Sequence, residues 1–278
     1  MRLDDWACWL QYLLNTKLKL TVSTDNDTAD RYRAPALDKG LDILELLAEQ
    51  PHGLTRGEIV KAMGRSQSEI YRMLERLVAR HYVTRSSEGD RYALGLKLFV
   101  LAHRHPPYDR LVARALPVMD AFAKTAEQSC HLVVYEHGNL TVVAHVASPN
   151  NWGLSLRLGV RVNLVDTASG HVMLAFQNPQ RQAEMLADHE VLEGEVPMSA
   201  GELQALLERV RAQGHWEGAS QQVFGVTDIS IPLRDHYGNA YAVLTCPFIR
   251  RIDQHVGPDI ASARSLLAQA AQGLSIGA

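Results

Sequence analysis

The chain has 278 residues, a formal net charge of −3 and three cysteines, Cys8, Cys130 and Cys246. Its 46 % hydrophobic and 21 % charged residues are typical of one or two globular domains and exclude a largely disordered chain. An odd number of cysteines without a CxxC pair argues against a disulfide framework or a thiolate zinc site and favours a reducing cytoplasm. No apolar run approaches the roughly 20 residues of a membrane helix.

Residues 1–34 form an N-terminal extension. The pattern of residues 3–18 predicts an amphipathic helix, followed by a polar linker. Asp4 and Asp5 stand where a signal peptide carries positive charge, which argues against a targeting signal. Two interpretations remain open: an arm for dimerisation or partner docking, and a weakly ordered extension.

Residues 35–95 have the pattern of three short helices and a β-hairpin. Leu37, Leu41, Leu44 and Leu47 recur at helical spacing in the first helix. Two capping boxes then follow, Thr55 with Glu58 and Ser66 with Glu69, and Gly64 separates the helices that they start. This arrangement predicts a helix-turn-helix, which the strand-like segments Tyr82–Arg85 and Arg91–Leu94 extend into a winged one.

The third helix has two distinct faces. Its apolar face carries Ile70, Leu74, Leu77 and Val78 and is expected to pack on the core. The opposite face carries Ser68, Arg72, Glu75 and Ala79, so its first half is small, polar and basic and suits a DNA major groove. Residues 35–105 have a net charge of +2, whereas residues 106–278 have −5. The alternative is that the winged helix docks a protein partner instead of DNA.

Residues 96–128 are predicted to link this domain to a second one, because Pro106 and Pro107 interrupt the helical segments Gly95–His105 and Leu111–Glu127. From residue 129 to 278, strands and helices interleave, which predicts an α+β sensor domain. The expected strands are His131–Glu136, Leu140–Val146, Ser155–Leu158, Val226–Leu233 and Ala240–Phe248. The expected helices are Ala168–Phe176, Pro179–Ala187, Ala200–Ala212 and Asp259–Leu274.

Four stretches of the chain resemble the IclR family of bacterial transcriptional regulators. They are Ala36–Leu44 with the following Leu54-Thr55, Ser66–Val83, Leu158–His171, and Gly225–Leu233 with Val243–Cys246. The resemblance covers about residues 36–275. It implies a winged helix-turn-helix, a linker helix and a C-terminal effector-binding domain similar to the GAF fold. It also implies a homodimer or a dimer of dimers on an operator in double-stranded DNA.

The resemblance places Arg72 at the family's usual recognition-helix arginine, and the helix start and the wing extend the expected DNA-binding set. That set is Thr55, Arg65, Ser66, Gln67, Ser68, Tyr71, Arg72, Arg76, Arg85 and Arg91. Arg72 and Ser68 are expected to read or position DNA, and the other arginines to contact mainly phosphate. Glu69 and Glu75 depart from a purely basic recognition helix.

Small-molecule effectors of the family sit at the start of one helix and against the last two strands. By position this implies an effector site at Leu154, Leu156, Thr167, Ala168, Ser169, Asp228, Thr245 and Cys246. The helix that starts at Thr167–Gly170 presents free amides suited to a carboxylate, so we expect a small organic or aromatic acid. Asp228 repels an anion unless it accepts a hydroxyl, which favours a hydroxylated or neutral compound; Thr167 also has a plain role as N-cap.

The sequence lacks a Walker loop, HExxH and GxGxxG. The histidines His131, His145, His171 and His215 match no usual zinc spacing and are interpreted as core or surface residues. The sequence therefore predicts a regulator without catalytic residues, metal or cofactor.

Overall fold

The computed structural model describes residues 34–86, 90–102, 106–253 and 256–276, with two compact units that part at Pro106–Pro107. The predicted helix at residues 3–18 and its linker lie outside the described residues. The predicted linker region 96–128 contains two helices, one in each unit. None of the helices in the described ranges is long and apolar enough to span a membrane.

The first unit is a winged helix-turn-helix, as the sequence predicted. Its elements are α1 (Pro35–Ala48), β1 (Leu54–Thr55), α2 (Arg56–Met63), α3 (Gln67–Ala79), β2 (Val83–Arg85), β3 (Arg91–Leu94) and α4 (Lys97–Ala102). The strands form an antiparallel sheet in the order β1-β3-β2. Gly64 ends α2 with a φ of 59°, in the left-handed region that favours glycine.

One core holds the three helices and the wing together. Its buried side chains are Ile43, Leu47, Ile59, Ile70, Leu74, Val83 and Tyr92, and Leu77 and Val78 pack against them as predicted for α3. The expected face of α1 is partly wrong: Leu37 and Leu41 are 61 % and 47 % exposed, and Ile43 is buried beside Leu47. A helix turns by about 100° per residue, so leucines three or four residues apart lie on one side of α1. This spacing does not determine whether that side points directly at the core or is rotated away from it.

The second unit contains a six-stranded sheet with helices on both faces. Its elements are α5 (Pro106–Ala126), β4 (Cys130–Glu136), β5 (Asn139–Val146), β6 (Arg161–Val162), α6 (Ala168–Ala175), α7 (Pro179–Ala187), α8 (Ala200–Gln213), β7 (Trp216–Ala219), β8 (Val226–Arg234), β9 (Ala240–Ile249) and α9 (Ile260–Leu274). Every neighbouring pair in the order β6-β5-β4-β9-β8-β7 is antiparallel. This confirms the predicted α+β class.

Each face of the sheet has its own core. Helices α5 and α9 pack on one face, where Phe122 and Leu267 meet Leu244 of β9. Helices α6 and α8 pack on the other face, where Val172 and Leu207 meet Val243 of β9. Successive side chains of a strand point to opposite faces, so neighbouring residues of β9 belong to different cores.

One predicted strand is wrong, and two short strands, β6 and β7, were not predicted. Residues 155–158 form no strand; β5 pairs instead with the two-residue strand Arg161–Val162. Strand β7 pairs with β8 along Trp216–Ala219 and was not predicted from the sequence. The four-residue segment WEGA has no alternation that predicts a strand, and its pairing with β8 is a tertiary contact.

Candidate functional site

The outer face of α3 is exposed and basic. Arg65, Gln67, Ser68, Arg72 and Arg76 all lie at the surface. Among the residues that the structure describes, no carboxylate forms an ion pair with Arg65, Arg72 or Arg76. These guanidinium groups are therefore available to an anionic partner.

The two predicted capping boxes are present. Glu58 accepts hydrogen bonds from the Thr55 amide and hydroxyl at 2.7 and 2.9 Å. Glu69 likewise accepts from the Ser66 amide and hydroxyl at 3.3 and 2.7 Å. The side chains of Thr55 and Ser66 are thus hydrogen-bonded within the capping boxes, where they stabilise the starts of α2 and α3.

Glu69, which departs from a basic recognition helix, is neutralised within the fold. Lys39 of α1 donates to its Oε1 at 2.5 Å. The Lys39 ammonium, together with the Ser66 hydrogen bonds, lowers the pKa of Glu69 from its ordinary value of 4.5 to about 2. The carboxylate therefore stays ionised but faces a cation instead of adding a free negative charge to the surface of α3.

Tyr71 forms a cation–π contact that the sequence analysis missed. The Arg56 guanidinium lies 5.5 Å from the ring centroid of Tyr71, which is 44 % exposed. Arg56 is the first residue of α2 and follows the Thr55 cap directly. The predicted capping box at Thr55 could have indicated this contact, because it places Arg56 at an exposed helix start.

The two wing arginines have intramolecular partners. Arg85 forms an ion pair with Asp90 across the hairpin. Arg91 donates to the Gly53 carbonyl at 3.0 Å and lies 3.8 Å from Glu58. Both side chains remain about half exposed, so they contribute positive potential at the wing but are less free than Arg72.

The second unit contains a cavity of about 390 Å³ between the start of α6 and the sheet. Its walls include the predicted Leu154, Leu156, Thr167, Ala168, Ser169, Asp228 and Thr245. Its walls also contain eleven residues that were not predicted from the sequence: His131, Val160, Arg161, Val162, Asn163, Leu192, Glu193, Ser220, Gln222, Val223 and Pro247. Five of these eleven residues come from loops 188–199 and 220–225, whose positions no local pattern encodes.

Cys246 does not line this cavity, so its place in the predicted site is wrong. It is fully buried in the core under α5 and α9. Thr245 and Pro247, its neighbours on β9, face the cavity instead. Strand alternation explains the error, since adjacent residues point to opposite faces of the sheet.

The start of α6 presents free amides to the cavity. The Thr167 hydroxyl caps the helix by accepting from the Gly170 amide at 3.1 Å and donates to the Asn163 carbonyl at 2.6 Å. The amides of Ala168 and Ser169 have no acceptor among the described residues. Two free N–H groups at the positive end of a helix suit a carboxylate.

Buried hydroxyls join this helix start to the sheet. Ser169 Oγ lies 2.9 Å from Thr245 Oγ1, which lies 2.7 Å from Ser230 Oγ. All three side chains are at least 97 % buried. The chain of hydroxyls therefore fixes the position of α6 relative to β8 and β9 at the floor of the cavity.

Asp228 lies on β8 and faces the cavity. Burial raises the pKa of its carboxyl above the ordinary value, and a hydrogen bond from Ser220 partly opposes this. A carboxylate in such a place favours a ligand group that donates a hydrogen bond. It disfavours a bare anion next to it.

His131 of β4 is a cavity residue that was earlier interpreted only as a core or surface histidine. Its side chain is 5 % exposed and faces the cavity. Desolvation, with a further contribution from His145, lowers the pKa of His131 to about 3, so the imidazole is neutral near pH 7. Its neighbours Cys130 and Leu132 belong to the core under α5 and α9, so the alternation of side chains along a strand places His131 on the cavity face.

No group of three or more His, Cys, Asp or Glu side chains is arranged to hold a metal ion within the described ranges. Burial raises the pKa of the Cys130 thiol to about 12, which makes it unreactive. The site is thus a ligand cavity built from hydroxyls, amides and apolar walls.

Two family models match the chain. The model described as "Bacterial transcriptional regulator IclR C-terminal" matches residues 108–276. The model described as "IclR helix-turn-helix domain" matches residues 36–87. Together they cover both units.

Known transcriptional regulators are similar to this chain in sequence and in fold. The HTH-type transcriptional regulator KdgR of Dickeya chrysanthemi is 28 % identical over 244 residues, which are 85 % of this chain and 79 % of that protein. An IclR regulator from Alicyclobacillus acidocaldarius has a TM-score of 0.69 at 20 % identity, with 88 % of this chain and 98 % of that chain covered. An IclR homolog from Microbacterium hydrocarbonoxydans, solved with 4-hydroxybenzoate, has a TM-score of 0.69 at 21 % identity, covering 86 % and 97 %. At such identities the structural matches establish the fold alone.

Proposed function

The chain belongs to the IclR family of bacterial transcriptional regulators, and from this premise we propose that a small organic or aromatic acid in the cavity controls its binding to an operator. The protein binds an approximately palindromic site as a dimer or a dimer of dimers. The observation that carries the proposal is the exposed face of α3, where Arg72 has no ion-pair partner among the described residues and Ser68 lies at the surface beside Ser66. A helix whose first half is small, polar and basic suits the DNA major groove.

Different side chains have different roles on the DNA. Arg72 and Ser68 contact or position base edges, because they lie on the outer face in the first half of α3. Arg65, Arg76, Arg85 and Arg91 contact mainly phosphate. Thr55, Ser66, Gln67 and Tyr71 hold or flank the helix start; the Tyr71 ring supports Arg56, which adds a further positive charge there.

The cavity supports a carboxylic acid as effector. The free amides of Ala168 and Ser169 suit the carboxylate, and Leu154 and Leu156 suit an apolar body. Asp228 accepts a hydrogen bond from a hydroxyl at the far end of the ligand, which favours a hydroxy acid. A relative of the same fold was solved with 4-hydroxybenzoate, a compound of this class.

The effector acts by shifting the equilibrium between two arrangements of the protein. A ligand with equal affinity for both arrangements shifts nothing, so the cavity must bind the acid better in one of them. The floor of the cavity, with Ser169 hydrogen-bonded to Thr245, is the element whose geometry such a ligand changes most directly.

Fluorescence anisotropy with the DNA upstream of the protein's own gene tests this proposal. We expect saturable binding. The logarithm of the binding constant should fall linearly with the logarithm of the salt concentration, because phosphate contacts release counterions. Arg72→Ala should weaken binding by about 1–3 kcal/mol. Arg209→Ala, the same charge change on exposed α8, is the matched control and should leave binding unchanged.

Failure to bind both this DNA and a random-sequence library would overturn the proposal and favour docking of a protein partner. Acids that release or tighten the DNA complex identify the effector class in the same assay. If no acid changes the complex, the DNA-binding part stands and the effector part is wrong.

A further inference from the structure

His131 is a buried polar side chain whose hydrogen-bonding capacity is unused. It is 5 % exposed and faces the cavity, and neither ring nitrogen has a partner among the described residues. The His131 ring nitrogens are not fully enclosed by protein, unlike Nε2 of His145, so they are open to the cavity and available to a ligand. A role for His131 in binding the effector rests on the proposed function.

The position of His131 places it next to the proposed carboxylate site. His131 on β4 pairs directly with Thr245 on β9, and both side chains face the cavity. Side chains paired across antiparallel strands have Cβ atoms about 4.5–5.5 Å apart. Thr245 in turn touches Ser169 at the start of α6. A carboxylate on the free amides of α6 therefore lies beside the His131 ring.

The charges around the cavity do not balance an anion. Arg161 lines it but forms an ion pair with Glu190 at 2.7 Å. The other charged lining residues are acidic: Asp228 on β8 and Glu193 in loop 188–199. Among the described lining residues, no unpaired lysine or arginine faces the ligand. A buried anion without a cation or a proton is costly, since desolvation penalises the charged form.

We propose that the acid effector enters the cavity together with a proton, which His131 takes up and holds against the effector's carboxylate. The proton comes from the solvent and binds to the free nitrogen of the neutral imidazole; no other bond forms or breaks. The resulting imidazolium donates a hydrogen bond to the anion that the amides of Ala168 and Ser169 also bind. His131 is therefore a specificity-determining residue for acids over their uncharged analogues.

The direction of the pH dependence follows from the neighbours of His131. Desolvation and the nearby His145 on β5 lower the pKa of His131 to about 3. A carboxylate in contact with the imidazole raises the pKa of His131 above that value, because an opposite charge favours the protonated ring. The bound state then carries more protons than the free state, and affinity for the acid rises as pH falls from about 7.5 to about 5.5.

Isothermal titration calorimetry on the full-length protein measures this proton directly. The probes are benzoate, 4-hydroxybenzoate, lactate and gluconate, and the tightest binder is titrated near pH 6 in phosphate and in MES, which differ in ionisation enthalpy. The difference in apparent binding enthalpy gives the number of protons taken up. We expect a fraction of one proton near pH 6, rising as pH falls, and none for the corresponding amide of the same compound.

Two variants assign the proton to a residue. His131→Asn keeps a hydrogen-bond donor but cannot titrate. Proton uptake should therefore disappear, together with the gain in acid affinity between pH 7.5 and 5.5, which for one proton is at most about tenfold per pH unit. His145→Asn is the matched control, since this histidine pairs with His131 on β5 but does not line the cavity, and it should retain the uptake. The wild-type measurement does not depend on either variant folding.

Several outcomes would overturn the inference. They are acid binding without proton uptake by the wild type, uptake that persists in His131→Asn, and uptake lost only in Asp228→Asn. Each of these leaves the proposed function intact. If none of the four acids binds while the salt-sensitive DNA complex forms, the effector part of the proposed function fails and this inference fails with it.

Discussion

Lys39 of α1 and Glu69 of α3 form an ion pair, with 2.5 Å between Nζ and Oε1. Glu69 also completes the capping box with Ser66 at the start of α3. One carboxylate therefore fixes the start of the recognition helix and connects it to the first helix. Its negative charge is matched by a cation before any DNA approaches.

Lys39→Met should lower the stability of the first unit in a pH-dependent way. The pKa of Glu69 is depressed from 4.5 to about 2, so its interactions stabilise the fold above about pH 4.5 and lose this effect as pH falls toward 2. The loss of melting temperature in Lys39→Met should thus be largest near pH 6 and shrink near pH 2. Lys61→Met, the same change on exposed α2, is the control. An equal loss at both pH values would contradict this account.

Thr245→Val should destabilise the second unit. The substitution keeps the shape of the side chain but leaves the buried hydroxyls of Ser169 and Ser230 without this partner. An unsatisfied buried hydroxyl costs about 1–3 kcal/mol, which urea unfolding measures. Thr227→Val on the half-buried part of β8 should change stability little; a similar loss in both variants would argue against the hydroxyl chain.

Gly170→Ala should disrupt the start of α6. A Cβ at this position would lie 2.0 Å from the Leu164 carbonyl oxygen, and backbone must move to admit it. Overpacking of this kind costs about 1–3 kcal/mol or more, and acid binding should be lost as the Ala168 and Ser169 amides shift. In Gly201→Ala, near the start of α8, the new Cβ meets no atom within 4 Å. This control should keep or raise the melting temperature in thermal unfolding, whereas Gly170→Ala should lower it. An unchanged acid affinity in Gly170→Ala would place the acid elsewhere.

Arg76→Ala and Arg72→Ala should have different effects on DNA. Removal of a phosphate contact at Arg76 weakens binding to all sequences and reduces the salt slope by about 1. Removal of Arg72 should instead relax the preference for the operator over random DNA. Anisotropy across a salt series with both DNAs distinguishes the two; identical behaviour of the variants would refute the division of roles.

Much of the fold followed from local patterns in the sequence. The capping boxes at Thr55 and Ser66 and the apolar face of α3 predicted the helix-turn-helix, because caps and helical periodicity depend only on neighbours in the chain. Residues such as Ala168 and Ser169 were placed at the cavity through the resemblance and the helix start that follows Thr167.

What local patterns missed depends on tertiary contacts. The strand Trp216–Ala219 exists because β8 offers it a pairing edge. Which side of β9 faces the cavity is set by the register with β4, so Thr245 was placed correctly while Cys246 was not. His131 was overlooked because its importance arises from the absence of a partner in the folded chain, which a sequence cannot display.

The most direct test of the central claim measures acid and operator binding on the same protein. If an acid in the cavity controls DNA binding, the factor by which it changes operator affinity must equal the factor by which the operator changes acid affinity. We predict equal factors from anisotropy and calorimetry, both lost in Gly170→Ala. An acid that binds in the cavity with the same affinity in the presence and absence of operator would contradict the account.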